Sequence, residues 1–393
     1  MSNIFATSQT AIGLAKEVTR GTAVAPAYWA KVKSPAYKPN LTILEDDTLQ
    51  GSMVNVYDVT SGFRYDGHGW TTFPYMDVLP LYVLAELGSP DTVSTAPTNT
   101  TLSASAAAGA TTISTVGTIA ANSWITLGTG ASLETHYTTN VSGGGPYTVT
   151  LQYPLLYAQS SGVAVTGLTG HDFSLLNNGA SGTGNQPPSL TITDYDGDQW
   201  RQITSAQLDK FDLKIVPNKT VDLDVTFLGD PSITPSSPST SFSTEQMAAP
   251  WTTAIAIGGT QVKYVEDITL SLSRGVKPIE AFQGTQGYYR YFAGALMATV
   301  KLTVVEQAAA PELTAFLAGT QQSFDISLFD RKSGHGARFH ATNSVWKTGE
   351  LVRGKEWVEA TLEADLLPTS TDATAGGVSP INVSIGNAVT ATY

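Results

Sequence analysis

The sequence PLYVLAELG at residues 80–88 returns in a related form, PELTAFLAG, at residues 311–319. Each stretch opens with proline, which suits the first turn of a helix, and closes with glycine, which suits the left-handed residue after the last turn. The two stretches therefore predict two short helices at corresponding places in the chain. Because a recurring element indicates a duplicated structural unit, this pair predicts a chain that contains two copies of one unit.

A second repeated pattern follows each predicted helix. Residues 189–227, SLTITDYDGDQWRQITSAQLDKFDLKIVPNKTVDLDVTF, align with residues 323–365, SFDISLFDRKSGHGARFHATNSVWKTGELVRGKEWVEATLEAD. Both predict two strands around a polar turn, then a link, then a third strand. Two matches in the same order predict a β-rich module written twice, over about residues 30–230 and 265–365.

The composition agrees with a mainly β protein. The chain has 393 residues, of which 41% are hydrophobic and only 14% charged, and its formal net charge is -12. That length allows two or three domains, and the acidic balance argues against a basic groove that clamps nucleic acid. It contains no cysteine, so disulfides and cysteine-based zinc sites are excluded.

The stretch after the first helix has a different character. It is almost free of charge, yet ATTISTV, SWITLG, THYTTNV and YTVTLQ alternate with the period of strands and are separated by turn residues. We interpret it as an inserted small β-domain. A low-complexity disordered loop is the alternative, but disorder rarely keeps such alternation.

We therefore predict two tandem β-sandwich or split-barrel modules, each with a short flanking helix, and one small all-β insertion. The N-terminal arm is interpreted as polar, and the C-terminal tail as a weak strand that either pairs or frays. The predicted segments are an N-terminal arm (1–29), the first module (30–90 and 168–232), the insertion (91–167), a linker (233–249), the second module (250–368) and a C-terminal tail (369–393).

Motifs for catalysis or cofactor binding are missing from the sequence. There is no phosphate-binding loop, no nucleophile elbow and no zinc-protease helix. DYDGD at 194–198 resembles the start of a calcium loop, but the closing acid is missing, and a hairpin turn explains it better. His335 and His340 fit turn and strand positions, and the acids at 45–47 fit a solvated turn. We predict no enzyme, no cofactor and no metal site.

The last strand of each module carries a strip of acids. Alternation along TVDLDVTF places Asp222 and Asp224 on the face opposite Val221 and Leu223. The same alternation along WVEATLEADL places Glu359 and Glu363 opposite the apolar side chains, which are Val358, Ala360, Leu362 and Ala364. An ordinary solvent-facing surface is one explanation of these strips, and a functional surface is the other.

The N-terminal region resembles a known family. IGLAKEVTRGTAVAPAYWAKV at 12–32, followed by NLTILEDDTLQGS at 40–52, is similar to the opening of tail tube (major tail) proteins of long-tailed, non-contractile bacteriophages. Those begin with a Glu-Thr-x-x-Gly-Thr signature and a proline shortly after; Glu17, Gly21, Thr22 and Pro26 match it, whereas Val18 replaces the usual threonine.

Other parts of the chain carry the same resemblance. VEDITLSLSRGVKPIEAFQG at 265–284 is similar to this family, and the insertion, with AGATTISTV, is similar to small β-domains of phage structural proteins. The resemblance implies a structural virion protein of the phage tail, made in the host cytoplasm, whose strands join those of neighbouring copies. Rings of such copies stack into a tube that conducts DNA to the host.

The resemblance also implies partners and a role for the acids. Expected partners are further copies of the chain, a tape-measure protein, a tail terminator and distal tail proteins, with no membrane insertion. A chain with two modules reaches pseudo-sixfold symmetry with three copies, so a homotrimer is favoured over a homohexamer. In such a tube the acidic strips would line the lumen and repel phosphates, so that DNA slides without specific binding.

A receptor- or carbohydrate-binding virion protein is the alternative function. In that case the β insertion, with aromatic residues such as Trp124 and Tyr137, would be the binding surface. Trp124 lies in an apolar strand pattern, however, which favours a place in a core.

Overall fold

A computed structural model describes residues 5–177, 186–308, 311–374 and 376–393. Strands dominate it, and the described residues contain two α-helices. The mainly β class predicted from the sequence is confirmed. Single turns of 3-10 helix lie at Thr7–Gln9, Gly130–Ser132 and Pro250–Thr252.

The elements fall into three groups along the chain. The first module contains β1 (Ala11–Lys16), β2 (Tyr28–Ala30), β3 (Ala36–Asp46), β4 (Asp58–Thr72), α1 (Leu79–Leu87), β5 (Thr92–Ser94), β12 (Leu190–Tyr195), β13 (Trp200–Ile215) and β14 (Asp222–Gly229). The insertion contains β6 (Thr100–Thr101), β7 (Thr112–Thr115), β8 (Trp124–Leu127), β9 (Glu134–Ser142), β10 (Tyr147–Leu151) and the start of β11 (Ala164–Phe173). The second module and tail contain β15 (Ala254–Ile257), β16 (Thr260–Val262), β17 (Val265–Ser273), β18 (Lys277–Ile279), β19 (Arg290–Phe292), β20 (Met297–Val305), α2 (Pro311–Ala318), β21 (Gln322–Phe329), β22 (Gly336–Val352), β23 (Glu359–Leu367) and β24 (Asn382–Asn387).

Both helices form where the repeated proline and glycine predict them. Gly88 ends α1 in the left-handed region with φ 82°, and its N–H bonds the carbonyl of Leu84. Gly319 follows α2 with φ 61°. Their environments differ, since every residue of α1 is buried, whereas α2 buries only Glu312 and Ala315.

The duplication extends over the whole of each module. Antiparallel pairing runs β2–β1–β12–β13–β14–β4–β3 in the first module. It runs β16–β15–β21–β22–β23–β20–β17 in the second. Along the chain, α1 follows β4, and α2 follows the equivalent strand β20. The unit repeated in space is therefore larger than the segments whose similarity is visible in the sequence.

Irregularities in the ladders recur at matching places. The β12–β13 ladder shifts register after Leu190, and the β21–β22 ladder shifts after Gln322. A second shift follows Leu208 in β13 and Trp346 in β22. Since a bulge marks one defined residue in a ladder, these shifts fix which residues of the two modules are equivalent.

The insertion has a small core of its own. Ile125, Leu127, Val149 and Val165 are among its buried side chains. Strand β11 begins here, pairing with β6 and β8, and continues into the main body, where it pairs with β5 and β24. The boundary expected after residue 167 thus falls inside one continuous strand.

The first and last strands of the described residues, β1 and β24, both belong to the main sheet. The interpretation of residues 1–29 as a polar arm is wrong for β1, because Ile12 and Leu14 are fully buried and the strand pairs with β12 and β2. The tail strand β24 pairs with β11 on one side and β22 on the other. Both strands pair with segments distant in sequence, which local patterns do not reveal.

Candidate functional site

Eight strands from the two modules form one continuous row. Their order is β3–β4–β14–β13–β17–β20–β23–β22. The modules meet where residues 210–215 of β13 pair with residues 268–273 of β17, which we call the internal seam. The seam turns two modules into one sheet.

The two faces of this row differ in chemistry. One face carries buried apolar side chains such as Leu213, Leu270 and Leu362, and both helices pack on its side. Side chains that alternate with these form the other face, which we call the polar face. Its members include Asp212, Lys214, Asp222, Asp224, Thr269, Ser271, Lys301, Glu350, Thr361 and Glu363.

Asp222 and Asp224 lie on the polar face as the alternation predicts, and lysines accompany both. Lys33 Nζ lies 2.5 Å from Asp222, and Lys214 Nζ lies 3.1 Å from Asp224. Thr71 also donates a hydrogen bond to Asp224 at 2.5 Å. Partial burial of Asp224 favours its neutral form, but these donors outweigh that effect and lower its pKa below the usual value.

The second strip is only partly as expected. Glu363 is half-buried on the polar face, opposite Lys301. The expected solvent exposure of Glu359 is wrong, because the preceding loop folds over it: Trp357 Nε1 donates to its carboxylate at 2.9 Å and Lys355 pairs with it. Val358, expected inside, is 38% exposed. It precedes the first paired residue of β23, so strand alternation does not govern it.

The bulges show which acids are equivalent. Asp222 corresponds to Glu359, whereas Asp224 corresponds to Thr361, and Glu363 corresponds to Thr226. The two modules therefore share one acidic position, that of Asp222 and Glu359. Asp224 and Glu363 lie on the same face but at positions along the strand that are not equivalent.

Two edges of the row are open among the residues that the structure describes. Within the described residues, nothing pairs with the outer edge of β3, although its equivalent β17 pairs with β13 in the internal seam. Likewise, the described chain places no strand beside residues 348–352 of β22 on the side away from β23, where the equivalent part of β13 receives β17. Each open edge is equivalent to one side of the internal seam.

The motif residues Glu17, Gly21, Thr22 and Pro26 come together in the turn from β1 to β2. The Glu17 carboxylate is buried and accepts hydrogen bonds from the Gly21 N–H at 2.9 Å and the Ser205 N–H at 2.9 Å. Its other donors are the hydroxyls of Ser189 and Thr191. Glu17 therefore ties this turn to the bulge of the β12–β13 ladder.

The glycine and the proline in this turn each have a different structural role. Gly21 has φ 78°, a left-handed conformation that side chains disfavour. Pro26 packs against Gly13, where an added Cβ would lie 2.7 Å from the proline ring. The N–H of Thr22 bonds the carbonyl of Thr19 and closes the turn. This arrangement holds the first strand of the module in place.

The remaining candidates have structural partners. Asp196, in the hairpin turn between β12 and β13, accepts the N–H groups of Asp198 and Gln199. His335 pairs with Glu245 at 2.5 Å, and His340 of β22 pairs with Asp325 at 2.8 Å. Asp46 accepts the N–H of Thr48. Across the described parts of the chain, no group of three or more His, Asp or Glu residues is arranged to hold a metal ion.

The aromatic residues of the insertion contact the main body. Trp124 is 2% exposed and donates through Nε1 to Ser384 of β24 at 2.9 Å. Tyr137 packs edge-on against it, and the guanidinium of Arg338 lies over the Tyr137 ring, 4.8 Å from its centroid. A cavity of about 750 Å³ beside them is lined by residues of the insertion and of both modules. These two aromatic rings hold the insertion in place.

The polar residues on the two open edges were not identified from the sequence. They include Lys38 of β3 and Glu350 of β22, both exposed. The repeat contains the signal, because VKSPAYKPNLT at 32–42 aligns with VEDITLSLSRG at 265–275 once the ladder shifts are known. The segments share so few identities that sequence similarity alone does not reveal it.

The chain is similar to a known protein family. A family model described as phage tail tube protein matches residues 7–366, which include both modules and the insertion. No curated protein matches the chain at a significant level. None of the helices in the described segments has the length and apolar character needed to cross a membrane.

Proposed function

The chain belongs to the phage tail tube protein family, and on that premise we propose that its copies join edge to edge into rings that stack into the tube of a long, non-contractile tail. As a member of this family, it is a structural component of the virion tail. The tube would conduct DNA from the capsid to the host.

The proposal rests on two observations made together: one seam is formed within the chain, and the two strand edges equivalent to its sides are open in the described residues. The internal seam joins β13 to β17 within one chain. The equivalent strands β22 and β3 lie at opposite ends of the row. Among the described residues, no strand pairs with the outer edge of β3 or with residues 348–352 of β22 on the side away from β23. Unpaired strand edges are templates for association, and a head-to-tail contact that closes on itself produces a ring.

The duplication supports a ring of three copies. Each chain supplies two modules in the same strand order, so three chains present six modules with alternating internal and external seams. A ring of six chains would contain twice as many modules as this ring of three chains. We therefore favour the homotrimer over the homohexamer.

The polar face is the surface that would line the lumen, because the opposite face is covered by buried side chains and helices. Acids on it, including Asp222, Asp224 and Glu363, would repel DNA phosphates. The nearby lysines reduce this charge locally, and the Lys214–Asp224 pair is an example. A wall of paired charges offers no continuous basic track, so DNA would pass without specific binding.

Other tail proteins would contact the ends and interior of the tube. We propose a tape-measure protein within the growing tube, a terminator at one end and distal tail proteins at the other. The chain would be made in the host cytoplasm and assembled there. The receptor-binding alternative has no observation in its favour, because Trp124 and Tyr137 face the main body.

Electron microscopy of the purified protein tests the proposal. We expect stacked rings or hollow tubes, with end-on views and mass per ring corresponding to three chains. Six chains per ring would retain the tube and exclude the pseudo-sixfold ring. A compact particle that never polymerises, alone or with tail initiator proteins, would exclude the tube function.

A further inference from the structure

The open edges carry enough detail to define the contact between copies. We infer that β22 of one copy pairs antiparallel with β3 of the next in the register of the internal seam, placing Glu350 opposite Lys38 and Leu351 opposite Tyr37. This inference rests on the proposed ring and specifies its contact surface. A second copy of the chain is the occupant of each edge.

The register follows from equivalent residues. The bulges equate Asp212 of β13 with Glu350 of β22, and the ladder shifts near Val32 and Val265 equate Lys38 of β3 with Ser271 of β17. In the internal seam, Asp212 pairs with Ser271. The same relation across copies brings Glu350 opposite Lys38.

Charge and exposure fit this register. Glu350 and Lys38 are both exposed and of opposite charge, a cross-strand combination that stabilises sheets. Leu351 is 36% exposed, whereas its equivalent Leu213 is 1% exposed under β17.

The helix beside each seam provides a second argument. At the internal seam, Arg274 of the second module donates hydrogen bonds to the carbonyls of Glu86 and Leu87 at the end of α1. The residue equivalent to Arg274 is Leu41 of β3, and the residue equivalent to Glu86 is Leu317 of α2. Leu41 is 43% exposed and Leu317 is 77% exposed.

The two seams are therefore built differently. A guanidinium lies at the end of the helix in the internal seam, whereas two exposed leucines would meet in the external one. Association between copies would bury the exposed side of α2. The equivalent side of α1 is already buried within the chain. The apolar contact explains why α2 carries leucine where α1 carries glutamate.

Engineered cysteines test the register, and the absence of native cysteine makes the result unambiguous. Lys38→Cys with Glu350→Cys should form disulfides between copies in assembled protein and produce covalent dimers and trimers. Asp212→Cys with Ser271→Cys is the matched internal pair and should crosslink within one chain. Lys38→Cys with Val352→Cys lies two residues out of register and should react on the order of tenfold more slowly, since disulfides need Cα atoms within about 7 Å.

The outcomes separate this inference from the proposed function. If the unmodified chain forms tubes but the out-of-register pair reacts faster, or neither pair reacts in intact tubes, the register is wrong and the tube function remains. If the unmodified chain forms no ring, the proposed function itself is wrong.

Charge reversal tests the same register if the cysteine variants do not assemble. Lys38→Glu and Glu350→Lys should each reduce ring formation, and the double variant should restore it. Failure of the double variant to do so would overturn the inference.

Discussion

The Nε of Arg274 donates a hydrogen bond to the backbone carbonyl of Glu86 over 2.8 Å, although the two residues belong to different modules. The last carbonyls of a helix lack partners within it and carry partial negative charge. Arg274, which is 5% exposed, therefore caps α1 across the internal seam. The two modules are held together by this contact as well as by the β13–β17 ladder.

Replacing Arg274 by methionine should destabilise the unassembled chain by about 2–3 kcal/mol, because hydrogen bonds to a charged group are lost and buried carbonyls remain unpaired. Chemical denaturation measures the effect. Arg290→Met is the control, since Arg290 is exposed and should change stability by less than about 0.5 kcal/mol. Equal losses in the two variants would show that Arg274 does not hold the modules together.

Glu86 makes stability depend on pH. Its carboxyl is buried in α1 and has no hydrogen-bond partner, and burial raises its pKa to about 8, with Arg274 partly opposing the shift. Between about pH 5 and 8 the folded chain holds a proton that the unfolded chain has released, so stability falls as pH rises through this window.

Glu86→Gln removes this dependence. The melting temperature of the wild type should fall relative to that of the variant as pH rises from 5 to 8, with little further divergence above pH 8. Thermal unfolding followed at several pH values measures the difference, and Glu280→Gln, at an exposed position outside the eight-strand row, is the control. Parallel curves for wild type and Glu86→Gln would mean that the carboxyl is ionised in the folded chain.

Trp124 and Gly386 define the contact that holds the insertion. A Cβ added at Gly386 would lie 2.4 Å from Cγ of Trp124, so Gly386→Ala should displace the indole ring. We expect faster proteolysis within the insertion and a loss of about 1–3 kcal/mol, the usual cost of overpacking. Gly144→Ala, where the added Cβ has open space, should behave as the wild type. Unchanged proteolysis in Gly386→Ala would show that the contact is dispensable.

The sequence predicts the local features of this fold better than its long-range ones. Proline and glycine locate α1 and α2, and alternation places Asp222 and Asp224 correctly, because both signals depend on neighbouring residues. The burial of β1 and β24 depends on partners far along the chain. Burial of Glu359 depends on the loop that carries Trp357. The open edges depend on which strands pair across the whole chain, and the equivalent residues on them follow from ladder shifts that similarity between the segments is too low to reveal.

The insertion should be removable without loss of assembly. Its two connections approach each other where Ser94 of β5 pairs with Gly170 of β11. Replacing residues 96–168 by Asn-Gly would close a two-residue hairpin turn between Thr95 and Thr169. Both open edges lie outside the deleted segment, so tubes should form, with a smaller outer diameter if the insertion projects outward. A folded variant that forms no tubes would place the insertion in the assembly contacts.

Reversing charge on the polar face should affect DNA passage more than assembly. Asp224→Lys combined with Glu363→Lys places four lysines near each other with Lys214 and Lys301, a basic track that phosphates bind. Glu359 is unsuitable because its buried carboxylate supports Trp357. Tubes should form, as seen by electron microscopy, while plaque numbers fall on the order of tenfold or more through slower ejection, an effect that higher salt should relieve because it screens phosphate contacts. Asp198→Lys, in the exposed turn between β12 and β13, is the control. Normal ejection by the double variant would mean that the polar face does not line the lumen.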